Sequence, residues 1–178
     1  METKDIDFSK LSPMMKQYFE VKNKYKNHIL FYRLGDFYEM FFDDAIIASR
    51  ELELTLTGRD CGLEERAPMC GVPHHACDVY LKKLIEKGYN VAICEQTMDP
   101  AMCKGIVPRE VIRVVTPGTL IESSMLDETS NNYICAFYMR AKESALCLAD
   151  ISTGEVHLFE LEGKEMTSSA INELSRFS

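Results

Sequence analysis

Apolar and polar positions along this chain follow two periods, and the switches between them mark out the elements. From Pro13 the apolar residues Met15, Tyr18, Phe19 and Tyr25 recur at helical spacing, with Lys16, Lys22, Lys24 and Lys26 on the wet side. Ser12 stands where a cap belongs and Pro13 suits a first turn, so the pattern predicts a helix over 13–26. Ile29-Leu-Phe-Tyr-Arg-Leu34 reads as a strand, Gly35-Asp36 as a tight turn and Phe37-Tyr-Glu-Met-Phe41 as a second strand. Asp43 and Asp44 favour a helix N-terminus, which places a helix over 42–53, then a strand at 54–57 and a polar loop at 58–68. A strand end at 69–73 and an amphipathic helix at 75–87, with Gly88 closing it, lead to strands at 89–94 and 111–115. Strands alternating with helices predict an α/β (α+β) fold, a mixed β-sheet flanked by helices.

The pattern changes after Thr116-Pro-Gly-Thr119, where residues 122–132 turn polar. The expected organisation is a first domain at 1–116, a linker at 117–131 and a second segment at 132–178. That segment should hold strands at 133–139, 145–151 and 155–161, the turn Ser152-Thr-Gly-Glu155, and a helix at 165–176. Three strands and one helix make a poor core, so this reads as a second domain cut short.

Composition narrows the class. Among 178 residues the hydrophobic fraction is 46%, without an apolar run near the roughly 20 residues a bilayer requires. The acidic start Met1-Glu-Thr-Lys-Asp lacks the apolar core of a secretory signal. Seven dispersed cysteines, an odd number, read as buried thiols in a reducing compartment, so the chain is expected to be intracellular. The net charge of −8 argues against nucleic acid until its distribution is considered. Residues 1–115 carry 16 Lys and Arg against 18 Asp and Glu, whereas residues 116–178 carry 4 against 10. The first part is therefore nearly neutral, with Lys16, Lys22, Lys24, Lys26 and Arg33 in one basic group and Lys104, Arg109 and Arg113 in another. Such groups suit phosphate contacts, though the chain alone should bind DNA weakly.

The candidate chemistry lies in Leu34-Gly-Asp-Phe-Tyr-Glu-Met-Phe41. In a strand Phe37 and Glu39 point one way, and Tyr38 and Met40 the other. One reading makes Phe37 a core residue beside a solvated glutamate. The other makes it a wedge that unstacks a base step, beside a carboxylate that accepts hydrogen bonds from a base edge.

Several segments then point together. Gly35-Asp-Phe-Tyr-Glu-Met-Phe41, Pro68-Met-Cys-Gly-Val-Pro-His-His75, Val91-Ala-Ile-Cys-Glu-Gln96, Asp99-Pro-Ala-Met-Cys-Lys-Gly105 and Arg113-Val-Val-Thr-Pro-Gly-Thr119 resemble, in order, the N-terminal region of MutS proteins. Asp150-Ile-Ser-Thr-Gly-Glu155 resembles the start of that family's connector domain, which is ribonuclease-H-like. The resemblance covers nearly the whole chain. It implies a mismatch-recognition domain followed by a truncated connector segment. It also implies that Phe37 stacks on a mispaired or unpaired base from the minor groove while Glu39 hydrogen-bonds that base. Arg59, Met69, Lys104 and Arg109 become supporting DNA contacts. For the full-length protein it implies ATP and magnesium, a homodimer, a downstream MutL-type partner and a cytoplasmic, nucleoid-associated location. No membrane is implied, and in this chain no catalytic set and no cofactor. The sequence departs from the family at His74, where tyrosine is expected, and Pro108 removes a backbone donor before the last strand of the sheet. It contains no Gly-x-x-x-x-Gly-Lys-Ser/Thr phosphate loop.

Two other readings compete. Cys70, His74, His75 and Cys77, with Cys61 upstream, are zinc-capable residue types at no standard spacing. Asp150 with Glu155 would be the start of a nuclease site, although two-metal hydrolysis needs several convergent carboxylates.

Overall fold

The computed structural model describes residues 6–120, 126, 130–140, 143–162 and 165–177. Among them no helix is long and apolar enough to cross a membrane. The chain divides into two compact units, Met1–Pro117 and Gly118–Ser178. Most of the segment expected as a linker, 121–125 and 127–129, lies outside the described residues.

The first unit runs α1 (Pro13–Lys22), β1 (Ile29–Leu34), β2 (Phe37–Phe41), α2 (Phe42–Leu52), β3 (Thr57–Arg59), β4 (Ala67–Pro73), α3 (Cys77–Glu86), β5 (Val91–Gln96) and β6 (Arg109–Val115). Its six strands form one sheet in the order β3-β4-β2-β1-β5-β6. β1 and β5 are parallel and every other pair is antiparallel, so the unit is the mixed sheet flanked by helices that the periodicity predicts. A parallel pair needs a crossover, and the chain from α2 through α3 supplies it.

Both faces of this sheet are covered. Met15, Tyr18 and Phe19 of α1 pack on Leu30, Tyr32, Phe41, Ala92 and Cys94. On the other face Phe31, Met40, Cys70 and Val72 are buried, as are Ala45 and Ala48 of α2 and Leu81 and Leu84 of α3. One charged residue joins three elements. Asp44, in the first turn of α2, is 5% exposed. It accepts hydrogen bonds from Lys22 Nζ at 2.8 Å, the Leu30 backbone N–H at 3.0 Å and the Tyr18 hydroxyl at 3.4 Å. Burial raises its carboxyl above the usual range, with the Lys22 ammonium opposing the shift.

Three expectations about boundaries need correction. α1 ends at Lys22 and not near 26, because the Lys24 and Tyr25 N–H groups bond back three residues to Val21 and Lys22, and Lys22 Nζ reaches His28 O at 2.6 Å. The strand expected at 54–57 begins instead at Thr57 and takes in Arg59. Glu53 caps α2 in the left-handed region at φ 57°, and Leu54 N–H bonds back to Ser49 O, so the chain reverses before it can pair. β6 begins at Arg109, directly after Pro108. Pro108 stands before the first paired residue of the ladder, where a proline is tolerated, and its carbonyl accepts from Thr97 N–H at 3.0 Å.

The second unit holds β7 (Tyr133–Met139), β8 (Glu143–Asp150) and β9 (Val156–Glu162) as an antiparallel meander, followed by α4 (Met166–Leu174). Leu146, Leu161 and Ala170 form its small core, with Phe159 and Leu174 against it. Asp150 builds the β8–β9 turn. It is 2% exposed, and it accepts hydrogen bonds from the backbone N–H groups of Asn132, Ser152 and Thr153 and from the Ser152 hydroxyl. These bonds hold its carboxyl down at about 2. A group depressed in the folded state adds stability above its unfolded value, about 3.9, and that contribution is lost as pH falls toward the folded one. Melting of the second unit should therefore move to lower temperature from about pH 4 to pH 2, and Asp150→Asn should flatten that dependence. An unchanged slope in the variant would remove Asp150 as its source.

Candidate nucleic-acid interface

The β1–β2 turn forms one rim of the first sheet. Gly35 takes φ +57°, a conformation that favours glycine and brings the chain straight back into β2. Arg33 Nε donates to Gly35 O at 2.5 Å, and His74 N–H donates to Asp36 O at 2.9 Å, with His74 Nδ1 3.2 Å from the same carbonyl. His74, the departure from the family pattern, thus ties the turn to the end of β4. Beneath the rim Tyr38 donates to Glu95, which also pairs with Arg33 at 3.4 Å, and the Arg33 guanidinium lies 5.6 Å from the Tyr38 ring. Burial and the Glu95 carboxylate raise the Tyr38 hydroxyl, keeping it a donor. The strand that carries the site is therefore anchored from its opposite face.

Along β2 exposure alternates from Phe37 to Met40, and Phe41 is buried again under α1. Tyr38 and Met40 point inward, whereas Phe37, the first residue of the strand, is 46% exposed. That exposure overturns the reading of Phe37 as a core residue. Glu39 lies on the same face, half-buried, and pairs with Arg59 through its Oε2. Gly71 of β4 sits directly opposite Glu39. A Cβ at Gly71 would meet Tyr38 O at 3.2 Å, Glu39 Cγ at 3.4 Å and Phe37 Cδ1 at 3.7 Å, so β4 approaches the β2 backbone closely beneath both side chains.

The six candidate contacts separate into three kinds. Phe37, Glu39 and Arg59 come together. Lys104 is exposed in the β5–β6 loop, which the register places at the same end of the sheet as Phe37. Met69 is half-buried on the sheet face that carries Glu39, packed against the α1 core and opposite Phe41. Arg109 needs correction. Arg109 is buried, its Nε donating to Arg33 O at 2.7 Å and its Nη1 to Gln17 Oε1 and Val107 O, over the Tyr32 ring at 5.0 Å. A guanidinium taken up this way braces β1, α1 and β6 and is not presented to a phosphate. Lys22 and Arg33 of the first basic group are likewise held by internal partners, while Lys16, Lys24 and Lys26 are exposed. Sequence reasoning missed Gly71, although a glycine inside a strand pattern signals a close approach. It also missed the Arg33–Tyr38–Glu95 support, which no spacing announces.

The competing readings do not gather their residues. Among the described residues no group of three or more His, Cys, Asp or Glu could hold a metal ion. Cys70 faces Ala45 O from within the core and Cys61 faces Glu65 O, and burial pushes the Cys70 and Cys77 thiols up to about 12. Asp150 is occupied by its turn.

Fold and rim define an α+β module that presents one aromatic ring and one held carboxylate at the open end of a sheet, and residues 12–124 match the family model described as MutS domain I. The chain is 56% identical over 167 residues to the DNA mismatch repair protein MutS of Alkaliphilus oremlandii, covering 94% of this chain and 19% of that protein. It is 56% identical over 168 residues to the protein of that name from Acetivibrio thermocellus, with the same coverage of both. Against that from Clostridium tetani the identity is 55% over 168 residues, again 94% of this chain and 19% of the relative. The chain belongs to the MutS family of DNA mismatch repair proteins. It spans about a fifth of the length of these relatives.

Proposed function

We propose that the first unit reads mispaired or unpaired bases in duplex DNA. Phe37 enters the minor groove of a kinked duplex and stacks on the faulty base, and Glu39 accepts a hydrogen bond from that base. The observation that carries this reading is the 46%-exposed Phe37 ring at the rim, beside a carboxylate and anchored from behind. Opening a base step takes a few kcal/mol in intact duplex and less where pairing and stacking are already impaired. The side chains therefore sense deformability more than base identity. Lys104, at the same end of the sheet as Phe37, supplies a cation for phosphates.

Under this reading the chain is the N-terminal part of a longer, ATP-dependent cytoplasmic repair protein, called here the full-length protein, that works as a homodimer with a MutL-type partner. The second unit opens its connector domain. ATP and magnesium would then serve other parts of that protein, since this sequence holds no Gly-x-x-x-x-Gly-Lys-Ser/Thr phosphate loop.

Glu39→Gln tests the reading. It keeps an acceptor oxygen and the shape while removing the negative charge, so repulsion from phosphates falls. Affinity of the full-length protein for matched duplex should rise by about 1 kcal/mol, and discrimination should fall from that side. Paired titrations on matched and mismatched duplex at one salt concentration check this, and unchanged matched-duplex affinity would count against it.

A further inference from the structure

We infer that Arg59 is a positioning residue for Glu39: it sets the carboxylate's orientation toward a base edge and does not itself hold a phosphate. The inference rests on the duplex-reading function proposed above.

Arg59 lies on the edge strand β3, opposite Ala67, whereas Glu39 lies opposite Gly71, four residues further along β4 toward the rim. The guanidinium must therefore run along the sheet face past Met69 to reach the carboxylate. Nothing about a surface arginine requires that path, and a side chain serving phosphates would extend into solvent. Here Nη1 closes on Glu39 Oε2, with Arg59 37% and Glu39 16% exposed in their side chains. Gly71 lies directly opposite Glu39, where a Cβ would stand 3.4 Å from Glu39 Cγ, in ordinary contact. Arg59 engages Oε2. A carboxylate has acceptor capacity on both oxygens, so one oxygen is fixed while the other remains for a donor on a base.

The arrangement meets two requirements at once. A carboxylate brought beside phosphates is repelled, though less with a cation next to it, and Arg59 is that cation. A glutamate free to rotate loses side-chain entropy when it is ordered on a base, and a glutamate already held loses less. Both advantages pass through Glu39, so removing the carboxyl's charge should make Arg59 irrelevant to discrimination.

The experiment is a double-mutant cycle in the full-length protein. Arg59→Met and Arg59→Lys are each made alone and together with Glu39→Gln, and each is titrated against matched duplex and duplex with one mismatch at several salt concentrations. Arg59→Met should lower discrimination about three- to tenfold, the loss falling on mismatched DNA, as expected for coupling between groups in contact. In the Glu39→Gln background the same substitution should leave discrimination unchanged. Arg59→Lys, which keeps the charge, should restore most of the loss. Should Arg59→Met lower the melting temperature, Arg59→Gln carries the same cycle, since it keeps a donor and most of the stem. An equal loss on both duplexes that persists beside Glu39→Gln, with a shallower salt dependence, would make Arg59 a phosphate contact and overturn the inference. A wild-type protein that does not discriminate at all would overturn the duplex-reading function, and this inference with it.

Discussion

Phe37→Ala in the full-length protein should abolish most of the preference for mismatched duplex while leaving the fold intact. Stacking of a base on an aromatic ring contributes roughly 1–3 kcal/mol, which corresponds to a loss of about 5- to 150-fold in affinity. The loss should fall on mismatched DNA, because only a kinked duplex admits the ring. The stability side of the prediction follows from position. Phe37 opens β2 at the rim and is 46% exposed, so truncating it should cost no more than about 0.5 kcal/mol of folding stability, as for ordinary surface positions. Four residues along the strand, Phe41 is fully buried in the α1 core, and Phe41→Ala should cost about 3–5 kcal/mol. The pair makes the test internally controlled: binding lost without stability at 37, stability lost at 41. Equal weakening on both duplexes, or a drop in melting temperature for Phe37→Ala comparable to that for Phe41→Ala, would remove Phe37 from the wedge role.

Asp44→Ala should be the most destabilising single change to the charged residues of the first unit. Its carboxylate accepts from Lys22, from the Leu30 backbone and from Tyr18, so one side chain fastens α1, β1 and α2. Truncation leaves the Lys22 ammonium, 17% exposed, with only the His28 carbonyl, and leaves the buried Leu30 N–H without its acceptor. Removing one partner of a buried ion pair costs about 3–5 kcal/mol, a large part of the 5–15 kcal/mol that typically separates folded from unfolded. Lys22→Met together with Asp44→Leu should lose less than the two single changes summed, because neither charge is then stranded. Denaturant unfolding of the wild type and these four variants checks this, and a loss below 1 kcal/mol for Asp44→Ala would show that water reaches the site and replaces the carboxylate.

Much of the site was legible in the sequence because a strand has period two. Once 37–41 is a strand, Phe37 and Glu39 must share a face and Tyr38 and Met40 the other, whatever surrounds them. The Gly35-Asp36 turn further put Phe37 at an end and not in the middle of the strand. The same logic located most helices and strands to within a few residues. It failed where a boundary depends on distant atoms. Lys22 curls toward His28 and Asp44 and shortens α1, and β3 forms only where β4 lies ready to pair with it.

The sequence by itself determined local matters for this protein: the order of elements, which strand residues share a face, the glycine turn that exposes Phe37, and the absence of a phosphate loop. Only the tertiary structure decided what each charge does. Arg33, Arg59 and Arg109 look alike along the chain, yet Arg33 props Tyr38 and Glu95, Arg59 holds Glu39, and Arg109 is enclosed between Gln17 and Tyr32. Asp44 reads as a helix-start residue and proves to be a buried hub, and Gly71 became part of the site only once β4 lay beside β2. The physical reason is range. Backbone periodicity and turn preference are set by neighbours a few residues away, so they can be read in order. The environment of a charge is set by whichever strands lie next to it in space, and here several of those partners are between 14 and 92 residues distant in sequence.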